Sequence, residues 1–310
     1  MLDPQVKKFL NESILSKSLE IENMPIELAR RLYKESRLKL QPKKLKLCNV
    51  RNFTIDIENR SIAVREYKIP SKENDSALPC LIYFHGGGWV IGDLDTHDTL
   101  CRELCLKTGY ILFAINYRKA PENKFPSALN DAVESTNFII CNSDKLGLCK
   151  KRISIGGDSA GANLATVTCQ LLKNKKKHKI SLQLLIYPVT DLRCNTDSYS
   201  EFSKGYSLTK SAMKFFRDSY IPKKEFIFDP RVSPVLSKDL RDMPKTLIIT
   251  AGFDPLRDEG LNYADTLSAF GNNVQIVCFE RQIHGFILMG GIIDESNTAV
   301  NICADFLRNQ

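Results

Sequence analysis

The sequence predicts an α/β fold, a mostly parallel sheet with helices on both faces and a helical cap over one end. Six apolar runs of strand length, Leu81–Phe84, Tyr110–Tyr117, Arg152–Ile155, Leu182–Tyr187, Thr246–Thr250 and Val274–Phe279, alternate with helical segments. Near-continuous apolar strands separated by helices are those that crossover helices cover on both faces. The segment Cys194 to Phe228 breaks this rhythm between the fourth and fifth runs and has helical periodicity around Thr209 to Tyr220. Two short amphipathic helices open the chain. Val6, Phe9, Leu10 and Ile14 share one face, and Leu28, Ala29, Leu32 and Tyr33 share another after Pro25; neither stripe can be buried alone.

Between those helices and the first parallel strand, the pattern alternates from Phe53 to about Ile69. Asn59 and Arg60 mark the turn of a hairpin there. Residues 1–45 and 194–228 are expected to form the cap above the carboxyl ends of the strands, where open α/β sheets take their ligands. No internal repeat or low-complexity linker divides the chain, so residues 1–310 read as one catalytic domain with its cap.

Composition removes other classes. At 310 residues, 43% hydrophobic and 26% charged, the chain is too long for a stapled mini-scaffold and too apolar for a disordered one. No apolar run approaches the roughly 20 residues of a membrane span. Asp3, Lys7, Lys8 and Glu12 interrupt the opening stretch, so no secretory signal is expected. The ten cysteines are scattered without a Cys-x-x-Cys pair, which points to buried thiols in a reducing, cytoplasmic compartment. Cys101 and Cys105 share a helix face but have no His pair beside them, so no metal site is expected. The net charge of +8 is not gathered into a basic stripe with interleaved aromatics. Its densest part, Lys173 to Lys179, reads as a solvated helix end and loop, and nucleic acid is not an expected partner. Homo-oligomerisation stays open.

The chemistry concentrates in Gly157-Asp158-Ser159-Ala160-Gly161, directly after Arg152–Ile155 and before a helical run. Gly-x-Ser-x-Gly in a strand-turn-helix context holds a serine hydroxyl exposed on a strained turn. A phosphate loop fails because Ala162 and Asn163 occupy the lysine and hydroxyl places, and a dinucleotide fingerprint fails at Asp158. A serine hydroxyl needs a base. Among four histidines, His178 lies in the lysine run and His97 before a helix, whereas His284 follows the last strand. The acid is expected between serine and base, after another strand, which selects Asp254, with Asp258 and Glu280 as rivals. His85-Gly86-Gly87-Gly88-Trp89 follows Leu81–Phe84 and offers bare peptide donors. Gly86, Gly87, Gly88 and Ala160 are the expected oxyanion hole, with Gly86 alternatively shaping the bend. His85 is expected to orient that loop through a hydrogen bond. Trp89 either lines the substrate pocket or packs; Tyr187, Phe202, Tyr206 and Phe286 are further pocket candidates. Tyr199, Phe215 and Phe216 join Phe202 and Tyr206 as aromatic residues of either pocket or cap core.

Together, His85 to Trp89, Gly157 to Gly161, Asp254-Pro255-Leu256-Arg257-Asp258-Glu259 and His284-Gly285-Phe286 resemble the hormone-sensitive-lipase-like family of α/β-hydrolase esterases. The resemblance runs from about Leu78 to the C-terminus and includes Asn116-Tyr117-Arg118, Ala120-Pro121-Glu122 and Tyr187-Pro188-Val189-Thr190-Asp191. Departures fall at Lys119, Asn123 and Ala162, outside the reacting positions. The resemblance implies hydrolysis of short to medium acyl esters through a Ser-His-Asp triad and an acyl-enzyme. It also implies no metal or organic cofactor and a small ester as partner. Amide, lactone or deacetylase chemistry on the same triad is the alternative, and a non-catalytic small-molecule receptor is the reading from another class.

Overall fold

Eight strands form one sheet in the order β1-β2-β4-β3-β5-β6-β7-β8, with β1 (Asn49–Ile57), β2 (Arg60–Lys68), β3 (Leu78–Phe84), β4 (Ile111–Asn116), β5 (Leu148–Asp158), β6 (Leu182–Ile186), β7 (Lys245–Phe253) and β8 (Val274–Ile283). The computed structural model describes residues 1–15, 20–46, 49–58, 60–70, 77–173 and 179–309. Cys48, Asn59, His178 and most of the basic run, 174–178, lie outside the described residues, as does the side chain of Ile14. The β1–β2 hairpin joins β4 antiparallel, and every pairing from β4 to β8 is parallel.

Alternation along each strand divides the core. From β3, Cys80, Ile82 and Phe84 face one layer while Leu81 and Tyr83 face the other. The first layer is covered by α4 (Ser127–Cys141), α5 (Ala160–Leu172) and α8 (Arg257–Ala269), and the second by α3 (Asp98–Thr108) and α9 (Asp294–Arg308). Each fully buried Leu, Ile or Phe contributes roughly 1.5–3 kcal/mol to holding these layers on the sheet.

Strand lengths differ from the apolar runs for a physical reason. β5 begins four residues before the apolar run because Leu148 already pairs with Leu78, and the exposed Lys150 and Lys151 fall in the register shift between that pair and Cys80–Ile153. β8 continues to Ile283 through exposed Glu280 and Arg281, as an edge strand with solvent beside it allows. Arg60 opens β2 instead of turning the hairpin, and its guanidinium is held by Asp131 and Glu134.

The N-terminal segment divides instead of acting as one piece of a cap. In α1 (Pro4–Leu15), Val6 and Leu10 bury into the α3–α9 layer, and the Asp3 N–H donates to the Arg281 carbonyl at 3.0 Å. The stripe on α1 matches that apolar layer. In contrast, α2 (Ile26–Leu40) lies over the loop that follows β3. Arg30 donates to the carbonyls of Val90 (2.9 Å) and Ala120 (3.0 Å), and Lys34 bridges Asp93 (3.0 Å) and Asp95 (2.5 Å).

The insertion 194–228 contains α6 (Asp197–Glu201), α7 (Lys210–Tyr220) and a 3-10 turn, Lys224–Phe228. Thr209 caps α7 by accepting from the Ala212 N–H at 3.0 Å. At its other end Tyr220 stacks on Trp89, with ring centroids 4.2 Å apart, and its carbonyl accepts from the Phe125 N–H. Both α2 and α7 therefore close over the loop 85–92.

Candidate active site

Ser159 sits between β5 and α5 with φ +55° and ψ −119°, a conformation that L-residues seldom adopt. Two glycines make the turn sterically feasible. A Cβ on Gly161 would run into the carbonyls of Phe84 and His85, and one on Gly157 into the Gly161 backbone. The turn is fixed by the Ser159 N–H donating to the Ile186 carbonyl at 2.8 Å. The hydroxyl stands at the N-terminus of α5, where the helix dipole favours negative charge.

Because β7 ends at Phe253 and β8 at Ile283, the next residues, Asp254 and His284, emerge at the same end of the sheet as Ser159. The Ser159 hydroxyl lies 3.0 Å from His284 Nε2, and His284 Nδ1 lies 2.7 Å from Asp254 Oδ2. Asp254 is fully buried, and its Oδ1 accepts from the Leu256 N–H at 2.9 Å. A carboxylate at Nδ1 keeps the proton there, leaving Nε2 to accept from the serine hydroxyl. The rivals lie elsewhere. Asp258 pairs with Arg257 at 2.8 Å and accepts from the Ser198 N–H, while Glu280 is exposed on β8.

Against the Ser159 turn runs the loop His85 to Gly92, joined to it through Gly86 and Asp158. Gly87 and Gly88 have φ +115° and +59°, and a Cβ on Gly88 would strike the ring of Phe216 from α7. Among the described residues, the N–H groups of Gly87 and Gly88 are not donated within the protein. Gly86 differs from the expectation that grouped it with them. Its N–H is engaged by Asp158 Oδ1 at 2.9 Å, so Gly86 anchors the bend and the open donors are Gly87, Gly88 and the helix-heading Ala160.

A family model described as alpha/beta hydrolase fold matches residues 81–288. Carboxylic ester hydrolase LipN of Mycobacterium tuberculosis is 39% identical over 245 residues, 75% of this chain and 65% of LipN. Ethyl acetate hydrolase of Pseudomonas putida is 34% identical over 252 residues, covering 81% of this chain and 79% of that protein. A hyperthermophilic esterase from Pyrobaculum calidifontis superposes with a TM-score of 0.92 at 34% identity, over 99% of this chain and 98% of that one. The chain belongs to the hormone-sensitive-lipase-like family of α/β-hydrolase carboxylesterases. An ester hydrolase from the metagenome of Lake Arreo, with a TM-score of 0.94 at 32% identity, covers all of this hydrolase and 99% of its own chain.

Beside Ser159 of the hydrolase lies a polar cluster that no sequence pattern marks. Asp158, which the sequence used only to exclude a dinucleotide fingerprint, is buried; its Oδ1 accepts from the Tyr83 hydroxyl at 2.9 Å as well as from Gly86. His97 Nε2 lies 3.2 Å from Asp158 Oδ2, and His97 Nδ1 lies 2.9 Å from Thr96 Oγ1. Burial acts to raise the Asp158 carboxyl, but His97, Tyr83 and His85 outweigh it and hold the group below the usual carboxylate range. Burial, reinforced by His97 and Lys119, pushes His85 down to about 3, so its ring is neutral. Its Nδ1 donates to the Gly86 carbonyl at 2.8 Å and its ring stacks on Tyr117, the loop-orienting role expected from the sequence. One carboxylate thus ties the Ser159 turn to the glycine loop across 72 positions of chain.

Asp158→Ala leaves the Gly86 N–H, the Tyr83 hydroxyl and His97 without their acceptor, at about 1–3 kcal/mol for each buried group. We expect about 10- to 100-fold lower kcat on a neutral ester, through loss of donor alignment, and a lower urea midpoint. A group with a depressed folded pKa stabilises fully above its unfolded value, about 3.9, and loses that contribution as pH falls through the folded value. The gap between parent and variant is therefore widest at neutral pH and narrows below about pH 4. Equal urea midpoints at pH 7 would remove this role from Asp158.

The aromatic candidates fall into distinct places. Trp89 is fully buried and packs on Tyr220. Tyr187, with φ +33°, lies against the His284 ring at 4.5 Å and against Phe286 at 6.2 Å. Phe202 and Tyr206 pack edge to face beside Phe253, with the Arg257 guanidinium 4.8 Å over the Phe202 ring. Tyr199 and Phe216 are buried, and Phe215 is partly so. Glu259 is also buried and accepts from the Thr190 N–H at 2.7 Å, fixing the segment that carries Tyr187; burial pushes its carboxyl well up. Among the described residues no group of three or more His, Cys, Asp or Glu is placed to hold a metal ion, and no helix is long and apolar enough to cross a membrane.

Proposed function

We propose that Ser159 attacks the carbonyl of a short to medium acyl ester, with His284 as general base and Asp254 behind the imidazole. The Ser159 proton passes to His284 Nε2 as the carbon–oxygen bond forms, and the oxyanion is received by the N–H groups of Gly87, Gly88 and Ala160. Collapse expels the alcohol, which takes the proton from His284. Water, deprotonated by the same imidazole, then cleaves the acyl-enzyme and returns Ser159. The observation that carries this reading is the continuous hydrogen-bonded path of 3.0 and 2.7 Å from hydroxyl to buried carboxylate. Likeness to a protein named for ethyl acetate hydrolysis supports a short acyl group. Residues 26–40 and 194–228, both closing over the glycine loop, would act as the cap that selects substrate, with Tyr187, Phe202, Tyr206 and Phe286 toward the pocket. A cytoplasmic setting is supported by the burial of Cys80, Cys101, Cys169 and Cys303 as small apolar groups.

A fluorophosphonate should modify Ser159 stoichiometrically and abolish turnover. A series of nitrophenyl esters should show a pre-steady-state burst equal to the enzyme concentration, largest in turnover for the short chains. A protein that is not labelled and gives no burst is a binding protein, and the reading falls.

A further inference from the structure

Resting on that ester-hydrolase reading, we propose that Arg37 and Tyr187 form a subsite for a carboxylate on the substrate, so that the preferred esters are anionic. Arg37 projects from α2 over Gly285, the residue after His284. A Cβ built on Gly285 would stand 3.5 Å from Arg37 Nη1 and 3.6 Å from Nη2. The guanidinium lies 5.0 Å from the Tyr33 ring centroid, yet Nε and Nη1 are buried without a hydrogen-bond partner. The Tyr33 hydroxyl engages the guanidinium, which leaves these two buried donors open, and a buried donor without an acceptor is expensive. The surrounding carboxylates are already engaged. Asp93 and Asp95 are held by Lys34, Asp158 by Tyr83 and Gly86, and Asp254 by His284.

A second buried group points the same way. The Tyr187 hydroxyl has no partner, although the residue is 1% exposed and its ring touches the His284 imidazole. Burial pushes the phenol well up, so it remains a donor. A cation with two open N–H donors beside Gly285 and a neutral donor without a partner against the His284 ring are complementary to a carboxylate oxygen pair. A neutral alkyl ester would leave each of them unsatisfied.

The carboxylate can sit on either arm of the ester, and two substrate series distinguish them. Monoethyl esters of succinic, glutaric and adipic acids, against ethyl butanoate, pentanoate and hexanoate, test the acyl arm. O-acetyl derivatives of ω-hydroxy acids, against the matching alkyl acetates, test the alcohol arm. The readout is the ratio of kcat/KM for the anionic ester to its neutral partner, which cancels any general effect of substitution. Arg37→Met should lower that ratio about 10- to 100-fold on one arm, mainly through KM, as expected for a lost charge-assisted hydrogen bond. Arg37→Lys should restore part of it. A ratio that stays within about twofold of the parent on both arms overturns the subsite. Calorimetric binding of monoethyl adipate and of 4-acetoxybutanoate to Ser159→Ala and to Ser159→Ala/Arg37→Met reads the subsite without turnover. Equal affinities overturn it there too, whereas a parent that cleaves neither series refutes the ester reading instead.

Discussion

Ser159→Ala is expected to keep its fold and to lose about 10⁵- to 10⁶-fold in kcat on 4-nitrophenyl butyrate. The fold survives because alanine retains the Cβ that already stands at φ +55°, and the backbone bond from residue 159 to the Ile186 carbonyl is untouched. Only the oxygen at 3.0 Å from His284 Nε2 is removed. What remains is a site that binds ester and still presents peptide donors to a developing oxyanion, so residual catalysis above water is anticipated. Circular dichroism and a thermal melt matching the parent, with single-turnover kinetics showing no acyl accumulation, complete the test. Turnover within about twofold of the parent would remove Ser159 from the reaction.

Asp254→Asn is expected to lower kcat about 10⁴-fold while leaving KM little changed. The size follows from how the carboxylate is anchored. Its Oδ1 accepts from the Leu256 N–H at 2.9 Å, and its Oδ2 faces His284 Nδ1 at 2.7 Å. An asparagine keeps its carbonyl oxygen on the Leu256 N–H, because the alternative sets two donors against each other. Its amide NH₂ then points at Nδ1 and donates to it, which forces the ring proton onto Nε2. That nitrogen would no longer accept from the serine hydroxyl. Nitrogen-15 NMR of the imidazole should show the exchanged tautomer alongside the rate loss. A decrease of less than about tenfold, or an unchanged tautomer, would mean that another group orients His284.

The parts legible in the sequence were those fixed by short-range backbone geometry. Glycines flanking Ser159 are dictated by the approach of the turn to Phe84, and Asp254 and His284 follow strand ends that apolar runs locate. The six parallel strands were readable as near-continuous apolar runs and α7 as a helical stripe, both of them signals carried by neighbouring residues. Pairings across long stretches of chain were not. Asp158 and His97 are separated by 61 positions, and nothing in either neighbourhood marks them as partners. The capture of the Gly86 N–H is equally invisible until the loop is folded onto the turn. Trp89 was ambiguous because a lone aromatic beside glycines suits a pocket or a core, and only the parallel face of Tyr220 decides where its ring goes. The N-terminal segment divides because the stripe on α1 complements the α3–α9 layer, a match that no local period encodes.

The Phe216 ring rests directly on Gly88, so the insertion proposed to select substrate touches a peptide unit proposed to receive the oxyanion. Trimming that ring to admit bulkier molecules would relax the peptide beneath it. On that proposal breadth of diet and speed of reaction would be mechanically linked at this one contact.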